Sequence, residues 1–365
     1  MDMVENIDTP ALVVDLDKMD NNIRVMSENA RQAGITLRPH IKTHKSVTIA
    51  LKQLLAGADG ITVAKLGEAE VMHQNGIHDI FIAYPIIGAE KLTRLKKLAE
   101  RADIKVSLDS VEVAGGISTV AASIGKKIKV YIEVDTGLGR VGKKYGEETL
   151  CLVEEIAKLP NIEIYGLMTH AGHAYAAKSQ EEMIEITRQE GQYLVETKTS
   201  IKSELGIEIP CISVGSSPTS YIGAHVEGVT EMRPGTYVFN DAKLLDLGLV
   251  TEENCALLIY ATVVSRPAEN RAIIDAGSKT LTSDKRIFAD GYGLIKGKNG
   301  LTVSWLSEEH GVINLPEGID LKIGDVIEII PNHVCPTVNL ADELIGIRNG
   351  EIEEVIAVTA RGKNK

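Results

Sequence analysis

The sequence has no excess of positive charge. Its 365 residues include 39 lysines and arginines against 51 acidic residues, so the formal net charge is −12 at pH 7. Proteins that coat DNA or an anionic membrane surface need a cationic face. We therefore expect neither nucleic acid nor a membrane as a partner. Hydrophobic residues make up 44% of the chain and charged residues 25%, which is typical of a globular protein and not of a disordered one.

Cysteines are few and far apart. The four are Cys151, Cys211, Cys255 and Cys335, and no two have the CxxC spacing. We therefore expect no disulfide framework, and a reducing compartment, the cytoplasm, is the expected location. No apolar run reaches the roughly 18 residues of a membrane span. The first ten residues also have no apolar segment of the kind found in signal peptides.

The first two-thirds of the chain alternates short apolar segments with amphipathic ones. The apolar segments predict eight strands: Ala11–Val14, Leu37–Lys42, Gly60–Ala64, Ile80–Ala83, Lys105–Leu108, Ile128–Val134, Ile164–Thr169 and Cys211–Val214. Their hydrophobicity is mostly continuous, as in parallel strands that helices cover on the outside. This α/β pattern, with eight strand–helix alternations, predicts a (β/α)8 TIM barrel. An open doubly wound sheet is the alternative, because periodicity does not show closure.

After about residue 245 the pattern changes to strands and turns without long helices. Predicted strands are Ala256–Ser265, Arg271–Asp275, Leu301–Leu306, Gly311–Asn314, Val326–Ile330 and Ile352–Val358. They predict a mostly antiparallel β domain. The sequence therefore predicts two domains, a barrel over residues 1–245 and a β domain over residues 246–365.

The second predicted strand ends in unusual polar residues. Side chains alternate along a strand, so His40, Lys42 and His44 would point to the same side. Barrel enzymes place their chemistry at the C-terminal ends of the strands. A lysine that is partly desolvated among other cations has a lowered pKa, which prepares it for Schiff-base chemistry. The alternative is a solvated basic loop, since Lys45 follows directly.

Later strands end in loops rich in glycine and hydroxyl groups. Residues 135–142 read DTGLGRVG and contain Arg140, residues 169–173 read THAGH, and residues 214–219 read VGSSPT, with RPGTY following at residues 233–237. Barrels place phosphate sites in turns of this kind after their last strands, where backbone N–H groups and hydroxyls converge. The composition alone is common in turns that bind nothing.

A different constellation, His333-Val334-Cys335, lies in the predicted β domain. On a strand this spacing would put the imidazole and the thiol on one face, where they could hold one metal ion. Two protein ligands leave positions for water or substrate, which suits a Lewis acid, and sulfur favours Zn²⁺ over Mg²⁺ or Ca²⁺. A buried cysteine beside a hydrogen-bonded histidine is the alternative.

Taken together, these segments resemble one enzyme family. The matching segments, in order, are IDTPALVVDLDKMDNNI, RPHIKTHKS, VDTGLGRVG, GLMTHAGHAY, VGSSPT, MRPGTYVFND and PNHVCP. They are similar to those of the D-threonine aldolase and D-serine dehydratase family, fold-type III pyridoxal phosphate enzymes related to alanine racemase. The resemblance covers nearly the whole chain. It implies an alanine-racemase-like barrel with a C-terminal β domain, and a homodimer.

The resemblance also implies roles for individual residues. Lys42 would hold pyridoxal 5'-phosphate covalently, Arg140 would hydrogen-bond its phenolate oxygen, and His170 would lie against its pyridine ring. The remaining positions fall into a phosphate cup of Gly215, Ser216, Gly235 and Tyr237, and a metal pair of His333 and Cys335 that would hold Zn or Mn. We also place His173 at the catalytic site. Its role is unassigned, as are those of Tyr175 and His40.

Two reactions fit these motifs, both on a small D-amino acid with a β-hydroxyl. An aldolase breaks Cα–Cβ to give glycine and an aldehyde, whereas a dehydratase uses Lys42 to remove the α-proton and expels the hydroxyl. Cys335 is typical of eukaryotic-type dehydratases, but the run PNHVCPTVNLADE is similar to the bacterial aldolase branch. The prediction is therefore a D-threonine aldolase, with D-serine dehydratase as the alternative.

Three further readings fit less well. An amino-acid racemase would share the barrel and cofactor but needs no metal, so His333 and Cys335 argue against it. A non-catalytic pyridoxal phosphate carrier would not need the residues after Leu245. A sugar-phosphate barrel enzyme would leave Lys42 and its neighbouring histidines unexplained.

Overall fold

The computed structural model describes residues 7–298 and 300–365. Contacts within the chain group these residues into two compact units. One, here called the barrel unit, comprises Val25–Lys42, Ala50–Gly235 and Gly362–Lys365. The other, the sheet unit, comprises the described residues up to Arg24, together with Thr43–Ile49 and Thr236–Arg361. The domain boundary between residues 245 and 246 stays a prediction.

The described chain contains strands and helices in the following order. The strands are β1 (Ala11–Asp15), β2 (Thr36–Leu37), β3 (Ile61–Val63), β4 (Asp79–Ile82), β5 (Asp103–Leu108), β6 (Ile128–Asp135), β7 (Lys143–Lys144), β8 (Ile162–Met168), β9 (Cys211–Val214), β10 (Glu231–Met232), β11 (Leu257–Ala268), β12 (Arg271–Ile274), β13 (Leu294–Ile295), β14 (Trp305–Leu306), β15 (Gly311–Asn314), β16 (Val326–Ile330), β17 (Glu343–Arg348) and β18 (Glu351–Ala357).

The helices are α1 (Leu16–Ala33), α2 (Val47–Leu55), α3 (Leu66–Gln74), α4 (Ala89–Ala99), α5 (Val111–Ile124), α6 (Glu147–Ala157), α7 (Gln180–Leu205), α8 (Ser217–Gly223), α9 (Ala242–Asp246), α10 (Ser278–Leu281) and α11 (Val334–Leu340). Short 3₁₀ helices cover Ile41–Thr43, Gly172–Ala176, Thr236–Val238 and Glu252–Asn254. No helix in the described part of the chain is long and apolar enough to cross a membrane.

Eight parallel strands of the barrel unit follow one another in chain order around a curled sheet, from β2 through β3, β4, β5, β6, β8 and β9 to β10. β10 pairs in parallel with β2, and a parallel bridge between His40 and Thr62 connects the segment after β2 to β3. This order confirms the predicted TIM-barrel class. An open doubly wound sheet would instead reverse its strand order at a switch point.

Local sequence signals explain where the outer helices of the barrel unit begin and end. The Ser179 hydroxyl accepts a hydrogen bond from the Glu182 amide (3.2 Å) and caps α7 at its first turn. The same helix ends at Gly206, whose φ of 67° is the left-handed conformation that glycine adopts without a steric cost. Capping therefore sets the length of α7 at 26 residues.

The interior of the barrel unit holds an ionic chain. Arg38 donates to Glu231 (2.8 Å) and to Asp79 (2.5 Å). The Ser213 hydroxyl donates to the other oxygen of Glu231 (2.6 Å) and in turn accepts a hydrogen bond from Arg233. Buried ion pairs add little net stability, but they penalise any packing that leaves one partner alone. This row of ionic and hydrogen-bonded contacts therefore fixes the position of the Arg233 side chain.

Two predicted barrel strands differ from the structure. Ala11–Val14 is a strand, but it pairs with β11 and β17 of the sheet unit and is not part of the barrel. The eighth barrel strand is β10, which was not predicted because two residues are too few for a periodicity signal. The strand predicted over Leu37–Lys42 ends at Leu37, and residues 41–43 form a 3₁₀ helix. Pro39 lacks a backbone N–H and cannot donate to a strand ladder. The strand alternation invoked for His40, Lys42 and His44 is therefore wrong.

The sheet unit contains a mixed, mostly antiparallel sheet, which confirms the predicted C-terminal β architecture. Its main path runs β14-β15-β12-β11-β1-β17-β18, and β16 pairs with β11 and with β13. Only the pairing of β1 with β17 is parallel among the described strands of this unit. Alternate residues of β1 and β11, such as Val14, Ile259 and Val263, are fully buried in its core. β17 was not predicted. Of the strand predicted over Leu301–Leu306, only the last two residues form a strand, β14.

Candidate active site

Positive charges converge at the carboxyl ends of the barrel strands. Lys42 lies in the 3₁₀ helix that follows His40. Burial, together with the charges of Lys42 and Arg233, holds the pKa of His40 well below its usual value. The Nδ1 atom of His40 is buried and has no hydrogen-bond partner among the described residues. A neutral imidazole among cations leaves this end of the barrel electropositive, which suits an anionic ligand.

His170 follows β8 in the same region and is fixed by its backbone partner. Its Nδ1 lies 2.9 Å from the carbonyl oxygen of Gly215. Because a carbonyl only accepts, Nδ1 carries the proton and Nε2 is unprotonated in the neutral ring. Burial and the charge of Lys42 lower the pKa of His170 to about 3. The ring is therefore neutral at physiological pH.

Gly215 permits this arrangement. Its φ is +142°, and a Cβ built there would lie 2.8 Å from the backbone nitrogen of Arg233, closer than real Cβ atoms come. Any other residue would separate the ends of β9 and β10. Glycine is therefore required at the first position of the segment GSSPT.

Arg233 is buried directly after β10. It donates through Nη2 to the Thr169 carbonyl (2.6 Å) and through Nη1 to the Ser213 hydroxyl. These contacts tie the ends of β8, β9 and β10 together. No role was predicted for Arg233 from the sequence, because the two-residue strand before it, Glu231–Met232, has no apolar periodicity.

The predicted phosphate cup is partly assembled in the barrel unit. Ser216 caps α8, and its amide and hydroxyl lie 3.4 and 3.2 Å from the Thr219 hydroxyl. The Gly235 amide donates to the Ser217 hydroxyl (3.2 Å), so residues 215–217 and Gly235 come together. Tyr237 belongs to the sheet unit, where it is fully buried in the 3₁₀ helix Thr236–Val238.

His173 lies in the 3₁₀ helix Gly172–Ala176, beside the loop that follows β6. A Cβ built on Gly137 would come 3.1 Å from its Nε2 atom. Burial lowers the pKa of His173, and the charge of Asp135 partly offsets this effect. Its Nδ1 atom is buried without a hydrogen-bond partner among the described residues. Arg140, also in the loop after β6, is exposed.

The predicted metal pair lies in the sheet unit, but not on a strand. His333 is the N-cap residue of α11, and Cys335 belongs to its first turn. The strand-based argument for His333 and Cys335 is therefore wrong: the start of a helix, and not one face of a strand, brings the two residues together. The Cys335 sulfur lies 3.2 Å from the Thr43 hydroxyl, and His333 Nδ1 lies 2.7 Å from an Asp284 carboxylate oxygen.

The donor atoms at this position suit a divalent metal ion that is bound by only two protein side chains. Since the Asp284 carboxylate accepts from Nδ1, the lone pair of the neutral His333 ring is on Nε2, the usual arrangement behind a metal-bound histidine. Among the described residues, no group of three or more histidine, cysteine, aspartate and glutamate side chains could hold a metal. An imidazole and a thiolate would thus leave positions for water or substrate.

Comparison with known proteins agrees with the fold and with the motifs. Residues 14–243 match the family model for the N-terminal domain of alanine racemase, and residues 256–347 match the model for a serine dehydratase domain. D-threonine aldolase of an Arthrobacter species is 35% identical, covering 99% of this chain and 94% of that protein. The D-threo-3-hydroxyaspartate dehydratase of Delftia sp. strain HT23 is 33% identical, covering 92% and 93%.

Solved structures give the same result. The crystal structure of D-threonine aldolase from Filomicrobium marinum has a TM-score of 0.91 and 30% identity, covering 98% of this chain and 96% of that one. A variant of the D-threo-3-hydroxyaspartate dehydratase, solved in a metal-free form, has a TM-score of 0.90 and 31% identity, covering 98% and 99%. The chain is therefore a lyase that belongs to the D-threonine aldolase and D-serine dehydratase family.

Proposed function

We propose that this chain is a pyridoxal phosphate- and divalent-metal-dependent lyase that cleaves D-β-hydroxy amino acids, most closely a D-threonine aldolase. The observation that carries the proposal is the convergence of Lys42, Arg140 and Arg233 on the neutral imidazoles of His40 and His170. A cofactor with a phenolate and a phosphate would supply anionic groups that suit this cationic region.

Each cofactor-binding role is assigned to a residue of suitable chemistry. Lys42 would hold the cofactor covalently through its amine, and Arg140 would donate to its phenolate oxygen. His170, held by the Gly215 carbonyl, would lie against its ring. The amides and hydroxyls of Gly215, Ser216 and Gly235 would bind the phosphate, as would Tyr237. When bound, pyridoxal phosphate supplies an electron sink for charge that develops at Cα of the substrate.

The β-hydroxyl of the substrate needs a Lewis acid and a base. His333 and Cys335 would hold the metal, Zn or Mn, which would lower the pKa of a hydroxyl bound to it. His173 is the proposed base, because burial keeps its imidazole neutral and its buried Nδ1 lacks a partner among the described residues. A neutral imidazole that takes the hydroxyl proton would allow Cα–Cβ to break and the aldehyde to leave. The electron pair left on Cα then takes up a proton from solvent, which gives glycine.

D-serine dehydratase is the second candidate. The observation that favours it is Cys335, because cysteine at this position is typical of eukaryotic-type dehydratases. In that reaction the Lys42 amine would remove the α-proton, and a metal held by His333 and Cys335 would supply Lewis-acid assistance to the leaving hydroxyl. We further propose a cytoplasmic homodimer, and light scattering after size exclusion would test the dimer.

The deciding experiment is product analysis with purified protein, pyridoxal phosphate and either Mn²⁺ or Zn²⁺. D-threonine, D-serine and D-threo-3-hydroxyaspartate are supplied in parallel, with the L-isomers and the Lys42→Ala variant as controls. Glycine with acetaldehyde from D-threonine supports the aldolase, whereas ammonia with pyruvate from D-serine supports the dehydratase. Turnover of the L-isomers alone would refute both, and turnover unaffected by a chelator would refute the metal requirement.

A further inference from the structure

The predicted metal ligand His333 is part of a chain of polar contacts within the sheet unit. Its Nδ1 lies 2.7 Å from Asp284 Oδ2, and Lys243 Nζ lies 3.3 Å from the same oxygen. Asp284 lies 49 residues before His333 in the sequence, in the loop after α10, and Lys243 belongs to α9. Three separate segments thus meet at one carboxylate.

The loop that carries Asp284 is tied to the metal-ligand segment by buried hydrogen bonds. The side-chain amide of Asn332 donates to the Asp284 carbonyl (2.8 Å) and to the Gly291 carbonyl (2.9 Å), and Asn332 is fully buried. On the other side of His333, the Val334 amide donates to the Asp241 carboxylate (3.2 Å). These hydrogen bonds anchor the backbone on both sides of His333 and the loop that carries Asp284. The two side chains are therefore held next to each other by the backbone that carries them.

The Asp284 carboxylate determines which ring nitrogen of His333 is protonated. A carboxylate can only accept, so it holds the proton on Nδ1 and places the lone pair of the neutral ring on Nε2. A histidine without such a partner exchanges between two tautomers and rotates about its Cβ–Cγ bond. A carboxylate behind a metal-bound histidine also raises the basicity of that ligand.

We propose that Asp284 is a positioning residue for the metal: it fixes the tautomer and orientation of His333, and Lys243 fixes the carboxylate. The proposal rests on the function proposed above, in which His333 and Cys335 hold the ion. It adds a third residue to the site: the metal affinity depends on Asp284, although its side chain does not touch the metal.

The test is Co²⁺ binding to the purified protein, followed by the visible and sulfur-to-cobalt absorption bands, with affinities from competition against a chelator. Asp284→Ala should bind Co²⁺ roughly 10- to 100-fold more weakly than the unchanged protein. Asp284→Asn should also bind more weakly, about 10-fold, since an amide is a poorer acceptor and can instead donate to Nδ1. Should the alanine variant fail to fold, the asparagine variant decides. Asp320→Asn, which removes a carboxylate paired with Arg266 (2.9 Å) in the same unit, is the matched control and should bind normally.

The outcomes separate this inference from the proposed function. At saturating Co²⁺ the Asp284→Asn spectrum should match that of the unchanged protein, because the same ligands hold the ion; a different spectrum would make Asp284 a ligand and overturn the positioning role. Unchanged affinity in both Asp284 variants, with weak binding in His333→Ala and Cys335→Ser, would overturn the inference alone. Absence of binding by the unchanged protein, or normal binding by His333→Ala and Cys335→Ser, would overturn the proposed metal site itself.

Discussion

The imidazole of His170 donates from Nδ1 to the backbone carbonyl of Gly215, 2.9 Å away. This bond links the residue after β8 to the residue after β9, and it selects the tautomer of a ring that burial keeps neutral. Because Gly215 also lies against the backbone of Arg233, one residue controls both the histidine and the arginine of the candidate cofactor site.

Gly215→Ala should weaken cofactor binding and destabilise the fold. The new Cβ would meet the Arg233 backbone at 2.8 Å, and backbone atoms cannot move aside as a flexible side chain can. We expect a loss of about 1–3 kcal/mol in the free energy of unfolding and a raised dissociation constant for pyridoxal phosphate. Urea unfolding and cofactor titration measure the two effects.

Gly34→Ala is the control for this prediction. Gly34 also has a positive φ, +68°, but a Cβ there would meet nothing within 4 Å. It should cost about 1 kcal/mol through backbone strain alone and leave cofactor affinity unchanged. Equal cofactor affinity in the two variants would contradict the role given to Gly215.

His173→Gln should slow aldol cleavage while the cofactor stays bound. Removing a general base typically costs 10²- to 10⁴-fold in rate, so we expect a fall of about 10²-fold or more in kcat with D-threonine. Since burial lowers the pKa of His173 below its usual 6.5, the acidic limb of the unchanged protein's pH–rate profile should lie below that value. Steady-state kinetics from pH 5 to 9 would show it, and an unaltered kcat and profile in the variant would remove His173 from the mechanism.

The stability of the protein should fall as the pH falls below about 6.5. His170 is neutral in the folded state down to a pKa of about 3, whereas an unfolded histidine takes up a proton near pH 6.5. The unfolded state therefore binds more protons between these values, so stability rises with pH across this window and is fully present above it. One such histidine contributes at most about 1.4 kcal/mol per pH unit.

Urea unfolding at several pH values between 4 and 7 would measure this slope. His40, whose pKa is also lowered, adds to it. His170→Gln keeps a donor for the Gly215 carbonyl but cannot titrate, so the slope should decrease in this variant. A slope that is the same with and without His170 would show that its ring is not held neutral by the fold.

The barrel was predictable because its signals are local. Parallel strands such as β3 and β9 are short segments of mostly apolar or β-branched residues, and Ser179 and Gly206 mark the ends of α7. The two-residue strand β10 and the three-residue 3₁₀ helix that carries Lys42 were not predicted, because elements this short cannot show a repeating pattern of apolar residues. Lys42 was selected in spite of that error, because its position in RPHIKTHKS matches the cofactor lysine of the family motif.

The partners of the site residues were not predictable in the same way. Asp284 reaches His333 across 49 residues of chain, and Arg233 binds the Thr169 carbonyl across 64. Nothing in the sequence around Asp284 distinguishes it from the other aspartates of the chain. Only the packing of the sheet unit brings its carboxylate to the imidazole.

The central claim is that the amine of Lys42 carries pyridoxal phosphate. Borohydride reduction of the holoenzyme fixes such a linkage permanently, and mass spectrometry of the proteolytic peptides then locates it. We predict a phosphopyridoxyl group on Lys42, in the segment RPHIKTHKS, at one per chain. The same label on Lys45 or on another lysine, or no label after reduction, would contradict the account.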